Sequence, residues 1–161
     1  MTKETKDLKK ARRLLWLFSV IKIPLMGYVK PKLISIDPQK AVFKIRLRRR
    51  TRNHLGSMYF GVLAIGADMA GGFHAFYLSD KMNKKISLVF KNFEADFIRR
   101  PDSDVYFVSV SGDVVQEMIN ETIASKERVT KSIRIDAYTN YFTDPEKVAE
   151  FKLGLSLKDK S

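Results

Sequence analysis

Cysteine is absent from the 161 residues. A disulfide scaffold, a thiolate zinc site, an iron–sulfur cluster and a cysteine nucleophile are thereby excluded. Histidine is almost as scarce, with only His54 and His74, so no metal site is expected. Prolines and glycines form no tract, and there is no repeat, low-complexity stretch or linker. A chain of this length that is 45% hydrophobic makes one domain with a sizeable core and is not disordered. Acidic residues are in short supply. Eighteen Asp and Glu face 30 Lys and Arg, for a net charge of +12. Such an excess suits an anionic partner: nucleic acid, an acidic membrane or a phosphorylated small molecule. The plain alternative is solubility alone.

The long apolar run at residues 57–78 carries Asp68 in its middle and Asp80 and Lys81 at its end, which argue against a membrane span. Residues 14–29 fall short of the roughly 20 that cross a bilayer, and Lys22 and Pro24 interrupt them. They follow a basic stretch with Lys3, Lys6, Lys9, Lys10, Arg12 and Arg13 against Glu4 and Asp7. The pair has the outline of a signal peptide without its small-residue cleavage site. We read residues 1–30 as a basic and apolar helical segment. It is helical to about residue 20 and irregular around Ile23-Pro24-Leu25. It docks on the domain or makes peripheral contact with a membrane. Residues 31–161 form the single main domain, and the expected compartment is the cytoplasm.

From residue 30 the apolar period becomes two. Residues 32–36 form a strand, Asp37-Pro38-Gln39-Lys40 a turn, and Phe43, Ile45 and Leu47 alternate with Lys44, Arg46 and Arg48. Residues 57–78 have the length and the alanine and methionine content of a helix buried nearly all round. Gly61, Ala64, Asp68, Gly71, Gly72 and Ala75 fall on one stripe of small residues that permits close approach. Strands resume at 86–97, with a phase slip at Lys91-Asn92 that implies a bulge. Residues 105–110 form a strand buried on both faces, 113–123 a short helix, and 129–137 and 151–157 the last two strands. Segregated antiparallel strands around one apolar helix give an α+β domain, with the sheet curled around the helix.

The run Arg52-Asn53-His54-Leu55-Gly56-Ser57-Met58-Tyr59-Phe60-Gly61, followed by Asp68, resembles the central motif of hotdog-fold thioesterases. It is closest to the DUF4442 branch, related to PaaI-like acyl-CoA thioesterases. The resemblance implies a hotdog fold of about six antiparallel strands wrapped around a long central helix, with an N-terminal helix in front. It also implies an acyl-thioester hydrolase, acyl-CoA being the expected substrate, at the interface of a homodimer or dimer of dimers. Coenzyme A enters only as part of the substrate, and no cofactor is implied. PaaI-like enzymes carry Asn, Gly, His-Gly-Gly and then an acid. Here Asn53, Gly56, Gly61 and Asp68 match, while Tyr59-Phe60 replace the His-Gly.

Thioester hydrolysis needs a base or nucleophile beside the carbonyl carbon and a donor for the oxyanion. Asp68 supplies the carboxylate and Gly61, near a helix N-terminus, an N–H. Asn53 would orient water or the carbonyl. Gly56, Ser57, Tyr59 and Phe60 would line the substrate, and Arg48, Arg50 and Arg52 would hold coenzyme A phosphates. Gly61 and Asp68 lie about 10 Å apart along one helix, so two helices must meet for both to act on one carbon. Structural readings stand beside these. Asp68 as a bonded helix residue, Asn53 as a cap or loop clamp, Ser57 as a cap, His54 as a loop residue, His74 as a satisfied core residue and the arginines as a solvated face are all open. So is a non-catalytic acyl or lipid binder on the same fold, which the Tyr59-Phe60 replacement favours. A nucleic-acid module is disfavoured, because the aromatics occupy core phases.

Overall fold

The change of period at residue 30 is where helices give way to a sheet. The computed structural model describes residues 3–161, with side chains from Lys6 onward. It opens with α1 (Lys3–Leu17), continues through a single π-turn (Phe18–Lys22) and enters α2 (Pro24–Val29). The irregular segment expected around Pro24 is therefore a helix start. Proline's fixed φ and missing N–H suit the first helical position, and there it opens a turn. The inner face of this segment, with Ala11, Leu15, Met26 and Val29, joins the one hydrophobic core.

Six strands follow: β1 (Lys32–Ile36), β2 (Ala41–Ile45), β3 (Ile86–Phe97), β4 (Val105–Ser109), β5 (Val129–Thr139) and β6 (Glu146–Asp159). They make one antiparallel sheet in the order β1-β2-β4-β5-β6-β3. The 22-residue helix α3 (Phe60–Lys81) packs against five of these strands, and α4 (Gly112–Ser125) packs on α3, β5 and β6. This is the α+β arrangement expected, a sheet wrapped around a central helix. β2 stops at Ile45, two residues short of the expected alternation. The Leu47 N–H donates to the Asp104 carboxylate at 2.9 Å rather than to a strand. The bulge lies where the phase slip put it, between Phe90 and Phe93 against β6. The 105–110 run is less enclosed than expected, because Tyr106 is half-buried and Val110 is exposed.

Packing explains why α3 carries glycine at a cost of up to ~1 kcal/mol per residue relative to alanine. The Phe107 ring of β4 lies directly on Gly66, and a Cβ there would collide with it. Phe107 and Phe43 are fully buried, and Phe43 meets Phe73 of α3 edge-on at 5.7 Å. His74 is wholly buried, its Nε2 3.0 Å from the Asp37 carbonyl oxygen and its Nδ1 3.4 Å from Ser109 Oγ. Burial lowers its pKa, so it is a satisfied core residue.

The sheet has two edges, treated differently. On β1, which bulges between Leu33 and Ser35, the Arg12 guanidinium of α1 donates to the Leu33 carbonyl at 2.9 Å and reaches the Ile34 carbonyl at 3.5 Å. Among the described residues β3 has no such cover. It is 12 residues long and largely exposed.

Candidate active site at the start of the central helix

The connection from β2 to α3 folds on itself through short polar contacts. Thr51, buried, donates its hydroxyl to the Arg46 carbonyl at 2.7 Å and accepts the Arg48 N–H at 2.8 Å. Arg52 and Met58 then face each other across a small hairpin, closed by Asn53 N–H to the Ser57 carbonyl at 2.8 Å. Gly56 turns it with φ +80°, a conformation that glycine adopts without strain. Asn53 Oδ1 accepts from Leu55 N at 2.9 Å, Ser57 N at 3.2 Å and Ser57 Oγ at 3.3 Å. Asn53 is thus the clamp of the loop, and its amide NH2 makes no hydrogen bond among the described residues. Ser57 is not a helix cap, since its hydroxyl is spent on Asn53. The helix starts later, with Tyr59 as N-cap in extended conformation and without a side-chain cap.

That start leaves donors free. Val62 and Leu63 N–H both bond the Tyr59 carbonyl, while the N–H groups of Phe60 and Gly61 have no acceptor among the described residues. Unpaired amides at the positive end of a 22-residue helix are suited to a developing negative charge. The Tyr59 ring lies over Gly61, so close that a Cβ on residue 61 would sit 2.6 Å from it. Tyr59 also begins a run of rings: Tyr59–Phe60 at 4.8 Å, Phe60–Phe97 at 6.2 Å and Phe97–Phe151 at 6.2 Å. Of these only Phe151 is buried.

Seven residues on, Asp68 lies on the same side of α3, since seven residues are close to two turns. Gly61, Ala64, Ile65, Asp68 and Gly72 are half-buried while the other residues from Val62 to Ala75 are buried. Gly71 and Ala75, expected on this stripe, instead face the core, Gly71 against Ile133 of β5. Asp68 has no hydrogen bond or ion pair among the described residues. Burial without a partner raises its pKa to about 6. A Cβ on Gly72 would lie 3.8 Å from the Asp68 Oδ1 and 3.6 Å from the Phe90 ring of β3.

The arginines divide. Arg48 and Arg50 line a cleft of about 250 Å³ together with Lys30, Lys32, Arg46 and Thr51. Arg50 is anchored there, donating to the Tyr28 carbonyl at 3.1 Å with its guanidinium over the Tyr28 ring. Arg52 lies outside this cleft, exposed at the base of the hairpin, and His54 is exposed beside the hairpin tip. The structure adds residues that the sequence pattern did not single out. Lys30 and Lys32 join the cation cleft beside Arg46, Arg48 and Arg50. Phe93, Phe97 and Ile98 present exposed apolar surface at the β3 edge. Their signal was the alternation of Phe93, Ala95 and Phe97 with Glu94 and Asp96, which does not tell a core-facing strand from a partner-facing one.

Comparison with known proteins adds family and fold. The family profile described as a domain of unknown function, DUF4442, matches residues 11–142. A Pseudomonas aeruginosa protein of unknown function, named a probable thioesterase, is similar with a TM-score of 0.76 and 18% identity over 94% of this chain and 95% of that one. A thioesterase from Haemophilus influenzae is similar with a TM-score of 0.67 and 13% identity over 94% and 90%. A Chlorobaculum tepidum protein of unknown function reaches 0.80 at 13% identity, covering 96% of each chain. No curated protein matches the sequence. The shared architecture is the hotdog fold of thioesterase-named structures.

Proposed function

The chain belongs to the DUF4442 family, and from that premise we propose that it hydrolyses acyl thioesters, acyl-CoA foremost, at a site shared by two copies of the chain in the cytoplasm. The observation that carries this is the pairing of a carboxylate without a partner among the described residues, Asp68, with helix-start N–H groups free at Phe60 and Gly61, Gly61 and Asp68 lying on one half-buried stripe. Within one chain they are about 10 Å apart along the helix. An antiparallel second copy brings the Gly61 of one chain toward the Asp68 of the other. The uncovered β3 edge and the exposed Phe60, Phe93 and Phe97 support such a pairing.

The chemistry then runs in balance. Asp68 takes a proton from water as the water oxygen attacks the thioester carbonyl carbon. The carbonyl oxygen gains the negative charge and is met by the Gly61 N–H, with the free Asn53 NH2 available to steady it or the water. Collapse re-forms the carbonyl, breaks the carbon–sulfur bond and returns the proton to the departing thiolate. A carboxyl with a pKa of about 6 is ionised at neutral pH yet more basic than an exposed aspartate. Arg48 and Arg50 suit the coenzyme A phosphates, with Gly56, Ser57, Tyr59 and Phe60 along the approach to the reacting carbon. The test is release of free thiol from acyl-CoAs of short to long chain by the wild type and by Asp68→Asn. Release that requires Asp68 sustains the proposal.

One observation favours a second reading. The Tyr59 ring crowds Gly61 where PaaI-like sequences have histidine, which suits a protein that holds an acyl chain without cleaving it. Saturable acyl-CoA binding with no thiol release at any chain length would select that reading.

A further inference from the structure

Trp16, Leu17, Val20, Ile21, Leu25 and Tyr28 are each between 45% and 63% exposed. They follow from helical spacing. Ala11, Leu15 and Ser19 take the inner face of α1 and the π-turn, which leaves Trp16, Leu17, Val20 and Ile21 on the outer one. The π-turn carries the apolar surface on into α2, at Leu25 and Tyr28. Around this surface the polar groups are cationic. A groove of about 630 Å³ between α1, α2 and β1 is lined by Trp16 and Val20 together with Arg12, Lys30 and Lys32. Ser19 Oγ, buried in the same groove, has no hydrogen-bond partner. Tyr28 borders the adjoining cleft of Arg48, Arg49 and Arg50. No acid lines either one, and Arg13 and Lys22 stand exposed on the same segment.

We propose that this face docks on an anionic lipid bilayer, with Trp16, Ile21 and Leu25 at the boundary of headgroups and acyl chains and the lysines and arginines on the phosphates. An apolar stripe rimmed by cations is the pattern of a segment that lies in the membrane surface. No described helix is long and apolar enough to cross a membrane, so the contact is peripheral. A second copy placed symmetrically here would press cations onto cations. An anionic leaflet instead neutralises them.

Trp16 is the only tryptophan, so its fluorescence reports on this face alone. The full chain is titrated with vesicles of phosphatidylcholine, and with vesicles in which roughly one third is phosphatidylglycerol. The expected result is a blue shift and quenching by brominated acyl chains with the anionic vesicles, binding at least ~tenfold tighter than to the neutral ones, and loss at high salt. Ile21→Glu with Leu25→Glu should weaken binding by more than ~tenfold. Arg13→Gln with Lys22→Gln, a surface change without core contacts, should weaken it roughly fivefold per charge. Both variants should leave thermal unfolding and release of thiol from a short-chain acyl-CoA unchanged. Equal indifference to both kinds of vesicle overturns the proposal. So does a fall in solution mass with Ile21→Glu, which would make the face a contact between copies.

Discussion

Two surfaces of this molecule expose large apolar side chains, and they differ in the polar groups beside them. At the β3 edge, Phe60, Phe93 and Phe97 accompany a strand paired on one side only and an unpartnered carboxylate. A strand edge asks for directional hydrogen bonds, and a half-buried acid asks for donors. Both are met by another protein surface and neither by hydrocarbon. On the N-terminal segment the backbone is helical and offers no strand edge, and the neighbours are lysine and arginine. Apolar exposure alone names no partner. The polar groups around it separate a protein-facing surface from a lipid-facing one.

The largest expected effect comes from breaking the protein-facing side. Phe60→Glu with Phe97→Glu puts charge into the proposed interface. The variant should run in light scattering as the 18.6 kDa single chain, with its circular dichroism retained and thiol release lost. If it remains dimeric at micromolar concentration, the pairing is elsewhere. Next, Asp68→Asn keeps the shape of the side chain and removes the base. Hydrolysis should fall by roughly 10²–10⁴-fold while the assembly persists. An Asn variant that falls apart into single chains would make Asp68 an interface residue instead. Smaller still, Arg48→Gln with Arg50→Gln should raise KM about tenfold with little change in kcat, and Arg52→Gln, outside the cleft, should leave both near the wild-type values.

An effect of similar size is on stability. The folded-state pKa of Asp68, about 6, stands above its unfolded value. The protonated carboxyl therefore favours the fold, and that contribution is complete below pH ~4 and lost as pH rises to about 6. Asp68→Asn should remove this slope, and at pH 7 the variant should be more stable by about 1–3 kcal/mol. Urea unfolding at pH 4, 5, 6 and 7 reads it. An Asn variant that keeps the wild-type slope would show that another group titrates. Stabilisation and loss of rate in the same variant would mark Asp68 as a residue held against the fold's own interest.

Much of the fold was legible, because period-two alternation and a single long apolar helix leave few arrangements. The bulge at Lys91-Asn92 could be read from a phase slip alone. The errors share a physical cause. Pro24 has the look of a breaker because sequence does not say whether proline sits inside a helix or at its first residue. Leu47 continued an alternating pattern that Asp104, 57 residues away, cuts short. The small-residue stripe included Gly71 and Ala75 because a helix apolar on every side has no face that composition can mark. In the candidate site, Asn53 is marked by the motif shared with PaaI-like sequences, and Gly61 and Asp68 by that motif and by chemical type. That the Asn53 oxygen is spent on its own loop, and that Tyr59 covers Gly61, depended on backbone geometry. Lys30 and Lys32 reach Arg48 and Arg50 only because α2 ends beside the β2–α3 loop.

The Arg12 guanidinium on the β1 carbonyls sets the valence of the whole sheet. A ribbon with two free margins can add copies without end, as fibres do. Here one margin is stoppered by a side chain from the chain's own first helix, so each molecule brings a single open margin to any encounter. Joining two such margins about a two-fold axis consumes both, and strand-by-strand growth terminates at a pair. Arg12→Ala would return the second margin, and with it a route from a closed pair to an open-ended polymer.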